Sequence, residues 1–164
     1  MTTQKFLQEK MARVREFFER YRERLAQDQK FNDLLVEYEK NFNATQAAFA
    51  QAGIDKICAQ CGQTTKVCCG LGMELYCEDT LLVVNLYLGV EFPEKRLKDH
   101  WCLFLTEKGC LLRVRPLLCR NYFCEDIQEA LPHEELVRLQ EALGPEAETL
   151  FALLERTRLL CPGL

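Results

Sequence analysis

Residues 57–70 read ICAQCGQTTKVCCG and place Cys58, Cys61, Cys68 and Cys69 within a dozen positions, the last two adjacent. Thiols so close together can be disulfide partners, buried apolar groups, a redox pair or metal ligands. The CxxC followed by Gly62 has the spacing of a metal knuckle: a tight turn can aim both sulfurs at one ion, and glycine lets the backbone fold beneath it. The same spacing serves thioredoxin-like redox chemistry, but there it opens a helix after a strand, whereas here it follows a predicted helix. Successive side chains in extended backbone diverge, so Cys68 and Cys69 suit two directions of ligation better than one ion.

A second constellation lies in WCLFLTEKGCLLRVRPLLCRNYFC, which holds Cys102, Cys110, Cys119 and Cys124. Cys119 and Cys124 are five apart, so sharing a site requires a turn between them, near Asn121. Arg113, Arg115 and Arg120 are interleaved with these thiols. Four thiolates around Zn²⁺ or a [4Fe–4S]²⁺ cluster leave a net charge near −2, which arginine donors would stabilise. Cys77 and Cys161 are expected as buried thiols. His100 and His133 are the only histidines, and packing or solvent-facing roles suit them better than ligation.

The elements that must position these residues are mostly helical. Leu7, Met11, Val14, Phe18, Tyr21 and Leu25 form one amphipathic seam, and Phe31, Leu35, Tyr38, Phe42 and Phe49 form another. The break between them favours a helical hairpin turning at residues 28–30 over one long helix. The run LLVVNLYLG, with Asp79 or Thr80 as N-cap and Gly89 as terminator, reads as a short buried helix. WCLFL-TEKG-CLLRV reads as a β-hairpin in which Cys102 and Cys110 face each other. Pro116 starts a helical turn. Two amphipathic helices follow, PHEELVRLQEALG and PEAETLFALLERTRLL. The expected fold is therefore mostly α with a small β-hairpin. Its parts are an N-terminal helical segment (1–52), a cysteine-rich metal-binding core (53–124) and acidic C-terminal helices (125–164).

The 164 residues suit one domain with a helical appendage. Basic and acidic side chains nearly balance up to residue 124, whereas residues 125–164 carry three basic against nine acidic ones. Without a basic stripe, a nucleic-acid partner is not expected. The run 81–90 is too short to span a bilayer. The N-terminal MTTQKFLQEK has no apolar h-region, so the expected location is the cytoplasm, where thiols stay reduced. No histidine base sits beside a cysteine in sequence, which argues against a thiol enzyme.

The segment CLLRVRPLLCRNYFC resembles the signature C-x-I-Y-x-x-R-P-x-x-C-R-x-[FY] of the YkgJ-like cysteine-cluster family, a zinc- or iron-chelating domain also named for CxxCxxCC. Cys102-Leu-Phe-Leu resembles its C-x-F-L element, and Cys58, Cys61, Cys68 and Cys69 resemble the namesake motif, with six residues before the adjacent pair in place of two or three. The resemblance covers residues 58–124. It implies a cytosolic protein holding zinc or an iron–sulfur cluster through eight cysteines. No methyl-donor motif is present, so the lysine methylation associated with some relatives is not carried over. The combined expectation is one or two metal centres on Cys58, Cys61, Cys68, Cys69, Cys102, Cys110, Cys119 and Cys124, with Arg113, Arg115 and Arg120 around them. The cofactor leans to [4Fe–4S] over Zn²⁺, in a redox, metal-handling or accessory role. The alternative is an interaction adaptor whose N-terminal helices bind a protein partner or self-associate, with zinc as a structural clip.

Overall fold

Asp28 divides the N-terminal half. In the computed structural model, which describes residues 3–63 and 67–164, α1 (Thr3–Gln27) ends there and α2 (Gln29–Gln51) begins. Asp28 is the N-cap of α2: its carboxylate accepts the backbone N–H of Phe31 at 2.7 Å, satisfying one orphan donor. Asn32 closes the other side by donating to the carbonyls of Leu25, Ala26 and Asp28. A side-chain cap, with no Gly or Pro, makes this break.

The two seams are internal. Leu7, Met11, Val14 and Leu25 of α1 and Phe31, Leu35, Tyr38 and Phe49 of α2 are all buried. Helix α1 packs against α4 (Asp79–Tyr87), and α2 lies along α7 (His133–Leu160). The apolar face on which the adaptor alternative relied is thus covered within the chain. Helix α4 is the expected buried helix, with Leu81, Leu82, Val83 and Val84 almost fully enclosed. Its apolar faces all round mark a core helix. A second, smaller core joins Phe49, Ile54, Phe123, Ile127 and Leu139.

Three local expectations need correction. The C-terminal pair is one helix, α7, which runs through Pro145. A proline inside a helix removes a hydrogen bond and crowds the preceding turn. Here side chains satisfy the carbonyls around it: Thr45 donates to Ala142, and Asn41 and Thr149 donate to Pro145. The hairpin is only a two-residue ladder of β1 (Leu105–Thr106) and β2 (Gly109–Cys110). Its register sets Cys110 opposite Leu105, so Cys102 and Cys110 are not cross-strand partners. Residues 58–61 are not a tight turn after the helix but the last turn of α3 (Ile54–Cys61). The mostly helical fold with a small antiparallel hairpin stands; the metal-binding core assigned to it does not, for reasons that lie in the thiol geometry.

Candidate functional site

All ten cysteines are thiols. Short elements carry them: α3, the stretch 67–70, the 3₁₀ turn Met73–Tyr76 with Cys77 at its end, the hairpin, α5 (Leu117–Arg120) and α6 (Glu125–Ala130). The stretch 67–70 is held to the residues before β1 by backbone: Cys102 N–H donates to Cys69 C=O at 2.9 Å, and Leu71 N–H donates to His100 C=O at 2.9 Å. Gly70 and Trp101 form an isolated antiparallel bridge. A Cβ on Gly70 would come within 3.0 Å of the Val67 carbonyl, so glycine fits this crossing best.

The fold brings several thiols of residues 58–124 near one another. Partial burial of its sulfur first, then the nearby Cys124, Cys61 and Cys69, push the Cys68 thiol up to about 12. Cys124 is the N-cap of α6, and Asn121 ends α5 before it. Cys58 is raised to about 11, first by burial and then by Cys69, Cys124 and Cys61. Its place in the last turn of α3 acts the same way, because the negative end of the helix dipole disfavours a thiolate. This is the reverse of a thioredoxin-like arrangement, in which the thiol meets a helix N-terminus.

Burial raises Cys69; Cys110 and Cys61 add to the rise, and the Arg115 guanidinium opposes them. Burial also pushes Cys119 up to about 11, with Cys69 and Cys110 as its thiol neighbours and Arg115 again opposing.

Cys102 and Cys77 are buried. Burial pushes Cys102 up to about 12, and the nearby Glu74 carboxylate adds to the rise. Glu74 is fully enclosed; it pairs with Arg96 and accepts the N–H groups of Gly72 and Leu103. Nothing in the sequence around Glu74 distinguishes it from a surface glutamate. The Cys77 carbonyl accepts Lys10 Nζ at 2.5 Å, which ties this thiol's backbone to α1. Cys161 is buried at the far end of α7, where Arg24 is the charge that acts on it.

Of the three arginines, one faces the thiols electrostatically. Arg113 is paired with Glu39, and Arg120 is buried against Glu146 at 2.7 Å. Arg120 also donates to Gln46 and stacks on Phe42 and Phe49. Arg115 donates to the carbonyls of Leu112 and Cys110 and bears on Cys69 and Cys119. His133 opens α7 on the surface, and His100 sits edge-on to Trp101.

This arrangement corrects the metal assignment. Among the described residues, no group of three or more His, Cys, Asp or Glu side chains is placed to hold a metal ion. Ligation by Cys58, Cys61, Cys68, Cys69, Cys102, Cys110, Cys119 and Cys124 would need three or four sulfurs converging at about 2.3 Å on one point, as thiolates. Among the described residues no such convergence is present. Neither Zn²⁺ nor a [4Fe–4S] cluster fits this donor set, and with them go the zinc-clip alternative and the metal partner. Among the described residues, no helix is long and apolar enough to cross a membrane. No family model, no curated protein and no solved structure matches the chain, so the resemblance to the YkgJ-like family, carried by motif letters over residues 58–124, is not supported.

Proposed function

We propose that the chain is a thiol-based redox-responsive protein of the cytoplasm, in which Cys68 and Cys124 form a reversible dithiol–disulfide couple. The observation that carries this reading is the nearness of the two thiols, with Cys124 close enough to help raise Cys68 although their segments are far apart in sequence. Cys68 is exposed and meets an incoming disulfide first. With a low-molecular-weight disulfide of the glutathione class, its sulfur forms a mixed disulfide and releases one thiol. Cys124 sulfur then displaces the second, so the two protein thiols are oxidised as one small disulfide becomes two thiols.

Rate and persistence follow from the thiol environment. Exchange needs a thiolate, and a thiol held near 12 supplies very little of one at neutral pH. The same sulfur is a poor leaving group, so the disulfide resists reversal once formed. Such chemistry suits a slow sensor and not a fast oxidoreductase. Oxidation would staple the stretch 67–70 to the start of α6, closing the region between α3 and α7.

The test equilibrates the protein in glutathione buffers of graded oxidised-to-reduced ratio, traps remaining thiols by alkylation and maps linked peptides by mass spectrometry. A Cys68–Cys124 link that forms and reverses with the ratio is expected, and Cys68→Ser abolishes it. Alkylation of both cysteines at every ratio, or a different dominant link, removes the proposal.

A further inference from the structure

A cavity of about 260 Å³ lies between α2 and the strand that leaves the hairpin. Its lining includes Glu39, Phe42 and Asn43 from α2 and Cys110, Arg113 and Arg115 from the hairpin side. At about 260 Å³ the cavity lies below the ~300–1,000 Å³ typical of small-molecule sites, which rules out a large cofactor. Its chemistry is mixed: two guanidiniums, one carboxylate, one carboxamide, an aromatic face and a cysteine.

The charges are arranged for use. Arg113 is exposed and held by Glu39. Arg115 is half-buried, its guanidinium 5.3 Å from the centre of the Phe42 ring. Its Nε donates to Leu112 C=O at 3.0 Å and its Nη2 reaches Cys110 C=O only at 3.4 Å. That leaves guanidinium N–H capacity for a ligand. Two cations and one anion leave the lining with one net positive charge. A complementary occupant carries two carboxylates for the arginines and one ammonium for Glu39. It also needs a sulfur that can approach Cys110, whose neighbours are Cys69 and Cys119. A thiol peptide of the glutathione type has this set of groups.

We infer that this cavity binds a carboxylate-bearing low-molecular-weight thiol peptide, holding its carboxylates on Arg113 and Arg115 and its sulfur toward the cysteine side. The inference rests on the redox reading only for what the ligand is used for; binding itself requires no exchange.

Titration calorimetry of the full chain with S-methylglutathione, which cannot form disulfides, tests binding alone. Saturable one-to-one binding is expected, weakened about tenfold by Arg113→Gln, since one charge-assisted contact is lost. The diethyl ester of the same ligand, offered to the unaltered protein, should bind at least as poorly. Cys68→Ser/Cys124→Ser should bind normally, so failure of the disulfide couple and failure of this site give different results. Absence of saturable binding at millimolar ligand, an ester that binds as well as the diacid, or undiminished binding by Arg113→Gln overturns the inference.

Discussion

Along α2 and α7 the contacts repeat: Leu35, Tyr38 and Phe49 on one helix and Leu139, Leu143, Leu150, Leu153 and Leu154 on the other are buried at helical spacing. Between residues 67 and 124 nothing repeats. There the chain relies on single buried polar anchors, each serving several backbone groups. Asn85 donates to Leu81 and Val114 carbonyls and accepts the N–H groups of Arg113 and Val114. Glu74 and Arg120 hold the stretches that carry Cys102 and Cys119. The apolar helices share their burial over many contacts, so each matters moderately. In the thiol-bearing region each anchor is nearly irreplaceable, because a buried polar group without its partner is costly.

The largest expected effect breaks one such anchor. Arg120 and Glu146 are 4% and 1% exposed at the side chain. Removing one partner of a buried pair leaves the other charged and unpaired, typically costing about 3–5 kcal/mol. Glu146→Ala should lower stability by that order in urea titration and speed modification of Cys119 by a thiol reagent under native conditions. A loss below about 1 kcal/mol would mean that the pair is hydrated and that the two regions do not differ in this way.

A graded effect comes from pH. Cys102, buried in the fold, has a folded-state value of about 12, against an ordinary thiol value of 9.0, and burial is the first cause. A raised thiol keeps its proton in the folded state after the unfolded chain has lost it. The folded state then binds more protons, and stability falls as pH rises. The contribution is complete below pH 9.0 and is lost as pH climbs through about 12. The urea midpoint should therefore decline from pH about 9, before most lysines, near 10.4, have lost their protons. A midpoint that stays flat to pH about 10 would show that solvent reaches this thiol and cancels the burial effect.

The contrast also explains what was legible in the sequence. Both seams and the buried helix at LLVVNLYLG followed from apolar periodicity and caps, because tertiary packing uses those same patterns. The single helix through Pro145 did not: proline and Gly144 are local stop signals, and Asn41 and Thr45, about a hundred residues away, override them. The cysteines were legible as a gathered group but not in their pairing. Spacing cannot show that Cys102 lies near Glu74, or Cys68 near Cys124. The stretch 67–70 is brought to its place by a backbone bridge to Trp101, a contact between segments far apart in sequence.

The smallest expected effect lies on the helical side, where α1, α2 and α7 meet. Asp28 caps α2 and is paired with Arg156 of α7, whose Nε donates at 3.0 Å. The Arg156 hydrogen bond, aided by the Phe31 N–H, holds its carboxyl below the ordinary value of 3.8. A depressed carboxyl contributes stability that is present above the unfolded value and lost as pH falls through the folded one. Asparagine caps a helix about as well as aspartate does, so Asp28→Asn isolates the charge from the cap. The variant should be slightly less stable at neutral pH and converge with the parent as pH drops below the ordinary carboxyl value of 3.8. Added salt should narrow the neutral-pH gap, since screening weakens an interaction near the surface. If the gap persists unchanged in acid, Asp28 acts through cap geometry alone. The helical framework would then be as free of electrostatic anchoring as its leucine stripe suggests.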